Sequence, residues 1–381
     1  MQVFPASAFA ESVGVGVHAT SPPYSNDPAL FASTLRTLGV SYVRDEILGG
    51  GPAAHNALLA AVPGLRLNLV ASPMHCTPQQ VVSYVRAVGR ENVSAIEGQN
   101  EGDSPWALSQ PQMQPDWAAR VVAYQEALYP AVKAAFPDLP VVSPTVLDYR
   151  PQDMAAIKGA APYCDAVAIH AYNQDATQPE SANPYSSLSW YLSNFRDSWK
   201  PGAPVLITEC GYTTPPGGRV SPAAAGKYIP RLLLQGLALG VERTFVYELM
   251  NSGTDITDTE SNYGLTLWDG RPKPAYTSTR NLLALLADPG PAFTPEPVLV
   301  TVADAPETVK GVVFQRRDRS YQVALWDAVA SAPAPVPPRP TRITTSRSFR
   351  SAAYAVANTG TAYASVATDA FGTVTAIDFN A

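Results

Sequence analysis

Short apolar runs rich in β-branched residues alternate with longer segments of helical periodicity between residue 12 and about residue 288. This alternation is typical of repeated strand-helix units around a parallel sheet. The apolar runs that qualify as strands begin at Ser12, Ser41, Arg66, Val93, Leu139, Asp165, Pro204 and Arg243. Eight such units in about 275 residues have the size of a (β/α)8 barrel, for which ~250 residues is typical.

The segments between these runs carry helix signals, because several open with a capping Ser, Thr or Asp and some close with Gly. Examples are DPALFASTLRTLG, TPQQVVSYVRAVG, DWAARVVAYQEALYPAVKAAF, SLSWYLSNFRDSWK and SPAAAGKYIPRLLLQGLALG, with AYTSTRNLLALLA after the last run. A doubly wound open sheet is the competing topology. It would usually have fewer strands and a GxGxxG turn after the first one, which this sequence lacks. We therefore predict an α/β (β/α)8 TIM barrel over residues 11–288.

The pattern changes after about residue 288, where helical periodicity ends. Runs such as VKGVVFQRRD, SYQVALWDAV and TVTAIDFN alternate in the manner of antiparallel strands. We predict a C-terminal antiparallel β-sandwich over residues 289–381, to which residues 1–10 could add a strand. The proline-rich segment 330–341 is predicted to be an extended loop, since proline cannot donate to a sheet ladder.

Composition narrows the possible partners. Charged residues make up 15% of the chain and the net charge is -6, so no basic surface indicates nucleic acid or anionic lipid. No apolar run reaches the ~20 residues that cross a bilayer. The low charge and the 37 prolines favour a secreted or extracellular protein, which we expect to be a monomer. The three cysteines allow at most one disulfide bridge.

Polar residues close six of the eight predicted strands, where the active site of such a barrel lies. They are His18, Arg44 with Asp45 and Glu46, Asn100 and Glu101, His170 and Tyr172, Glu209, and Tyr247 with Glu248. Taken singly, most have plainer interpretations as core histidines, ion-pair partners or aromatic surface. Glu209 is harder to explain in this way, because it follows a wholly apolar strand where burial is costly without partners.

Glu101 and Glu209 end strands four and seven, so they are expected to face each other across the barrel mouth. Glycoside hydrolysis uses such a pair, with one carboxylic acid to protonate the leaving oxygen and one carboxylate at the anomeric carbon. A separation of roughly 5 to 5.5 Å retains the sugar's configuration, and one of roughly 6.5 to 9.5 Å inverts it. The sequence leaves both geometries open.

The ordered set of these residues resembles the signature of the clan A glycoside hydrolases, which are retaining (β/α)8 enzymes. The appended β-sandwich is similar to the arrangement in family 39 and its uncharacterised bacterial relatives. Three segments resemble motifs of those relatives: IEGQNEGD, RTFVYELMN and GLTLWDGRPKPAY. Two positions depart from the clan's common pattern. Gly102 replaces a proline, and Tyr247 with Glu248 stands where many members have a tryptophan.

The resemblance implies that Glu101 is the general acid/base and Glu209 the nucleophile. It also implies supporting roles: a sugar-hydroxyl contact for Asn100, orientation of Glu209 by Arg44 and Tyr172, and a subsite lined by His170 and His18. Further candidates for substrate contact are Tyr247, Glu248 and Trp268, with Trp106, Tyr149 and Tyr212 as possible stacking surfaces.

The sequence thus predicts a retaining glycoside hydrolase that acts on a β-linked oligo- or polysaccharide and requires no cofactor or metal. A transglycosidase with the same site and a non-catalytic carbohydrate-binding protein are the alternatives. Glu97 is expected to lie on the same face as Glu101, deeper in the barrel, with Arg44 as its partner.

Overall fold

A computed structural model describes residues 1–173, 177–181, 187–331, 342–349 and 351–366. The strands are β1 (Val3–Pro5), β2 (Val13–Gly16), β3 (Tyr42–Glu46), β4 (Arg66–Val70), β5 (Val93–Glu97), β6 (Val141–Val142), β7 (Val167–His170), β8 (Val205–Cys210), β9 (Arg243–Val246), β10 (Val300–Ala303), β11 (Val309–Gln315), β12 (Tyr321–Asp327), β13 (Arg342–Thr345), β14 (Ala352–Tyr354) and β15 (Ala364–Val366).

The helices are α1 (Ser7–Glu11), α2 (Pro28–Leu38), α3 (Ala53–Ala61), α4 (Pro78–Val88), α5 (Pro105–Leu108), α6 (Trp117–Ala135), α7 (Pro151–Ala156), α8 (Leu188–Tyr191), α9 (Asp197–Trp199), α10 (Pro222–Ala238) and α11 (Pro274–Leu286). Local signals explain several of their starts. For example, Thr77 and Gln80 form a reciprocal capping box at α4, and the Ser221 hydroxyl caps α10. Within the described chain no helix is long and apolar enough to span a membrane.

Eight parallel strands form the central sheet, in the order β6-β5-β4-β3-β2-β9-β8-β7. A parallel bridge between Val142 and Ala166 joins its two edges, so the sheet closes into a barrel. Inside, the Phe245 ring takes the space that a side chain on Gly14 would need, since a Cβ there would lie 2.4 Å from the ring. The predicted (β/α)8 barrel is therefore confirmed.

Antiparallel pairs follow the barrel, as the sequence predicts: β11 with β12, β10 with β13, and β14 with β15. The N-terminal strand β1 runs parallel to β11, which makes that three-stranded sheet mixed. The predicted strand TVTAIDFN and nearly all of the predicted proline-rich loop lie outside the described residues.

Two helical details differ from expectation. The sequence AAHNALLAA forms α3, which its weakly amphipathic, alanine-rich pattern did not indicate. The segment SLSWYLSNFRDSWK is not one regular helix, because a π-helical turn over Leu192–Arg196 separates α8 from α9. The cysteines Cys76, Cys164 and Cys210 are buried free thiols.

A buried ion pair joins the barrel to the C-terminal sheets. Arg231 on α10 donates to both carboxylate oxygens of Glu180, with its Nε 3.1 Å from Oε1. The Trp326 indole on β12 donates to the same Oε1 at 2.7 Å, and Arg231 also donates to the Val329 carbonyl at 2.9 Å. Glu180 thus accepts hydrogen bonds from both parts of the molecule.

We expect Glu180→Gln to lower the free energy of unfolding by about 3–5 kcal/mol, because it leaves the buried Arg231 without a counter-charge. Asp269→Asn is the matched control, since the Asp269–Arg271 pair is exposed and its loss should cost at most about 1 kcal/mol. Urea unfolding followed by tryptophan fluorescence measures both. Equal losses in the two variants would contradict a structural role for the Glu180 pair.

Candidate active site

The side chains that point into the barrel form an apolar layer below and a polar layer above. Alternate residues of a strand share a face. Tyr42 on β3 belongs to the apolar cluster inside the barrel, so Arg44 and Glu46 also point inward. Ala95 on β5 belongs to the same cluster, and Glu97 follows it on that face. The polar layer therefore lies at the carboxyl ends of the strands.

Arg44 lies at the centre of this polar layer and is 6% exposed. Its Nε and Nη2 donate to the two oxygens of Glu97 at 2.8 and 2.9 Å, which makes Glu97 its partner as expected. Its Nη1 donates to Glu209 Oε1 at 2.6 Å, and Nη2 also donates to Asn100 Oδ1 at 2.6 Å. One guanidinium thus contacts three side chains from the fourth and seventh barrel strands.

Glu97 is fully buried at the inner end of this network. The Asn68 amide donates to its Oε2 at 2.7 Å, in addition to the two bonds from Arg44. Burial raises the pKa of the Glu97 carboxyl, but Arg44 and His170 outweigh that effect and lower the pKa to about 2. Glu97 is therefore a carboxylate that balances the charge of Arg44.

Glu209 on β8 is 8% exposed and receives donors on both oxygens. Arg44 contacts Oε1, and the Tyr172 hydroxyl donates to Oε2 at 2.8 Å. Burial raises the pKa of the Glu209 carboxyl, but the charges of His170 and Arg44 and the Tyr172 hydrogen bond hold it below its usual range. Glu209 is thus ionised and held in one orientation at neutral pH.

Glu101 follows β5 and is the more open of the two carboxylates, with 16% of its side chain exposed. Its backbone has φ of 40°, in the left-handed region, and its N–H donates to Thr145 Oγ1 at 2.9 Å. At the next position a Cβ on Gly102 would lie 2.7 Å from Val121 of α6. This crowding explains glycine there, where the resembling enzymes commonly have proline.

His170 connects the carboxylates. Its Nδ1 lies 2.7 Å from Glu101 Oε1 and 3.7 Å from Glu209 Oε2. Burial lowers the pKa of the His170 imidazole, but Glu209, Glu101 and Glu97 together raise it to about 9. His170 is therefore protonated at neutral pH and donates a hydrogen bond to Glu101.

The separation of Glu101 and Glu209 is short. One oxygen of each, together with one His170 nitrogen, lies within 4.8 Å of the others. Residue types of this kind can bind a metal, but an ion here would have to displace the His170 proton. The cluster would also have to accommodate that ion beside the Arg44 guanidinium.

A second group of polar and aromatic side chains lies at the ends of the first and eighth barrel strands. Glu248 is fully buried, and its Oε2 accepts from the Tyr24 hydroxyl at 3.0 Å and lies 3.5 Å from His18 Nε2. The peptide bond between Tyr247 and Glu248 is cis. The Tyr247 ring contacts those of His18 and Tyr263 edge-on, with centroids 5.8 and 5.7 Å apart.

Tyr263 belongs to the site but did not figure among the candidates from the sequence. Its ring lies 5.6 Å from that of Tyr172, and it comes from the long segment after β9, which has no strand or helix periodicity. Buried Lys273 holds that segment, because its Nζ donates to Asn251 Oδ1 at 2.7 Å and to the Asn262 carbonyl at 2.9 Å. Burial lowers the pKa of Lys273 to about 8.

The other aromatic candidates lie in different settings. Trp268 is half-buried in a turn and takes no part in the described contacts of the carboxylate network. Trp106 is 54% exposed and stacks on His75, with centroids 6.2 Å apart. Tyr149 and Tyr212 are only 1% and 6% exposed, so the prediction that a sugar stacks on their rings is wrong. The Tyr149 hydroxyl instead accepts a hydrogen bond from the His170 backbone N–H.

Several solved structures of similar fold are described as glycoside hydrolases or glycosidases. A family 39 glycoside hydrolase from the gut symbiont Bacteroides cellulosilyticus WH2 is 16% identical, with a TM-score of 0.62 over 99% of this chain and 80% of that one. The family 39 enzyme from Xanthomonas axonopodis pv. citri is 15% identical, with a TM-score of 0.58 over 89% of this chain and 78% of its own.

A glucosidase from Croceicoccus marinus is 12% identical, with a TM-score of 0.59 over 97% of this chain and 81% of that one. No protein-family model and no curated protein matches the sequence. The resemblance to clan A glycoside hydrolases is confirmed at the level of the fold: a (β/α)8 barrel followed by antiparallel sheets.

We expect Glu97→Gln to lower the free energy of unfolding at pH 7 by about 3–5 kcal/mol, because it removes a counter-charge of buried Arg44. The folded pKa of Glu97 lies below its unfolded value. Its stabilisation is therefore present above the unfolded pKa of about 4.3 and is lost as pH falls towards 2.

Urea unfolding between pH 7 and pH 2 tests this expectation. The variant should lose less stability over the acid range than the wild type. Glu126→Gln, at an exposed site on α6, is the matched control and should follow the wild-type curve. An unchanged acid dependence in Glu97→Gln would contradict the role of Glu97 as the buried counter-charge.

Proposed function

We propose that the protein is a retaining glycoside hydrolase that cleaves β-glycosidic bonds in an oligo- or polysaccharide. The observation that carries the proposal is a pair of carboxylates in unlike surroundings, with one oxygen of Glu101 and one of Glu209 within 4.8 Å of each other. Inverting enzymes need roughly 6.5 to 9.5 Å to admit a water, whereas roughly 5 to 5.5 Å suits direct attack by a carboxylate. The similar solved structures of family 39 enzymes and a glucosidase support the same reaction class.

In the first step Glu209 attacks the anomeric carbon. A covalent bond forms between that carbon and a Glu209 oxygen, and the bond to the leaving oxygen breaks. Glu101 transfers a proton to that oxygen and becomes a carboxylate. Arg44 and Tyr172 keep Glu209 ionised and prevent its rotation.

In the second step Glu101 takes a proton from a water molecule, which attacks the same carbon and releases Glu209. Because His170 occupies Oε1 of Glu101, the transferred proton is carried on Oε2 in both steps. Two displacements at one carbon restore the original anomeric configuration. The two glutamates thereby regain their starting protonation states.

We expect Glu209→Gln to reduce kcat by at least about 1,000-fold on every glycoside, because no nucleophile remains. Glu101→Gln should lose about 10²–10⁴-fold on substrates with poor leaving groups. In Glu101→Gln the rate of the first step, attack by Glu209, should be nearly that of the wild type on dinitrophenyl glycosides, because their leaving group needs no proton. Steady-state and burst kinetics measure both effects, with Glu126→Gln as the control.

Near-wild-type turnover by either variant would remove that residue from its role. Binding of glycans without turnover across a broad panel would instead favour a carbohydrate-binding protein. The formation of longer products at high acceptor concentration would favour a transglycosidase.

We expect the first product released to have the same anomeric configuration as the substrate. Proton NMR of the anomeric signals, recorded within the first minutes before mutarotation, distinguishes the two anomers. An initial α-anomer from a β-glycoside would overturn the double-displacement mechanism while leaving hydrolysis itself in place.

A further inference from the structure

We propose that the site selects uncharged glycans, and that Glu46 contributes to this selection by binding a hydroxyl of the sugar at the cleavage site. The inference rests on the proposed function and names its substrate class. Three features of the barrel mouth carry it: the position of Glu46, the engagement of the nearby cations, and the charge of the loops around the site.

Glu46 is the last residue of β3, on the inward face two residues beyond Arg44. Its side chain is half-buried, near His18 and His75. Its carboxylate accepts no hydrogen bond from the part of the chain that the structure describes, although its backbone N–H donates to Asp45 Oδ1. Because the Glu46 oxygens are not buried and no described side chain donates to them, a sugar hydroxyl at the mouth could donate to this carboxylate in place of water.

The buried cations at the centre of the site are already engaged. All three guanidinium nitrogens of Arg44 donate to Glu97, Glu209 or Asn100. His170 donates to Glu101. Neither group is therefore free to pair with a carboxylate or sulfate on the substrate.

The loops around the mouth carry acidic residues and almost no basic ones. Neither lysine nor arginine occurs in residues 17–35, 45–65, 71–85, 98–116, 171–195 and 247–270. Of the basic residues in the other mouth loops, Arg150 pairs with Asp148 and Asp153, and Arg271 pairs with Asp269. Arg219, in the loop after β8, is exposed. Two of these three arginines are thus neutralised by the loops' own acids.

An anionic sugar would consequently find the central cations Arg44 and His170 already paired with protein side chains. Glu46 and buried Glu248 add acidic groups beside this centre, and Glu260 lies close enough to Glu101 and Glu209 for their charges to help raise its pKa. A unit charge about 6 Å from one carboxylate, at an effective dielectric constant of about 20, is disfavoured by about 100-fold. An uncharged sugar pays no such penalty and offers hydroxyl donors instead.

The test compares a neutral β-glucan with the same glucan oxidised to the carboxylate at C6, and an aryl β-glucoside with the β-glucuronide. We expect kcat/KM to be at least about 100-fold lower for the charged member of a pair. Glu46→Gln should lower kcat/KM on the neutral substrate about 10-fold. It should also reduce the ratio of neutral to charged kcat/KM about 10-fold. Glu91→Gln, an exposed site at the opposite end of the barrel, should change neither.

The Glu209→Gln variant allows the Kd of the neutral glucan and the Kd of its oxidised form to be measured without turnover. The ratio of these Kd values is a second measure of charge selection. Equal kcat/KM and equal Kd for charged and neutral partners would overturn the inference and leave the proposed hydrolysis intact. A ratio unchanged in Glu46→Gln would remove Glu46 from the selection. If no glycoside is hydrolysed, the proposed function fails, and a neutral preference in Kd would still support charge selection.

Discussion

The buried guanidinium of Arg44 is the interaction on which the rest of the site depends. Two carboxylates, Glu97 and Glu209, lie in the barrel interior, where burying an unpaired charge would destabilise the fold by roughly several kcal/mol. Arg44 reaches both because its side chain points into the barrel from β3, with β5 on one side of that strand and β8 on the other. The ionised state of Glu209 is thus a property of the barrel as a whole.

The same network makes the two outer carboxylates unlike. Glu209 has a cation on one oxygen and a phenol on the other. Among the described residues the Glu101 side chain has a hydrogen bond only to His170, on Oε1, and 16% of it is exposed. The proposed chemistry needs this difference, since one group must attack as an anion while the other carries a proton.

The barrel and the carboxylate pair were predictable because both depend on short-range patterns. Each strand is a buried β-branched run, and Glu101 and Glu209 follow such runs directly. The place of Tyr263 in the site could not be predicted, because it depends on the fold of a long loop. The open carboxylate of Glu46 could not be predicted either, because it depends on which neighbouring side chains already have partners. Trp268 lies in a turn, so its motif alone does not determine whether its ring reaches a bound sugar.

The backbone of Glu101 has a further consequence for relatives of this chain. A non-glycine residue with φ of 40° is held in a conformation that glycine or asparagine adopts more readily. Such strain persists where the surrounding structure enforces it and function requires it. A descendant that no longer turned over substrate would gain stability by exchanging this glutamate, so the residue at this position should mark which relatives are still under selection as enzymes.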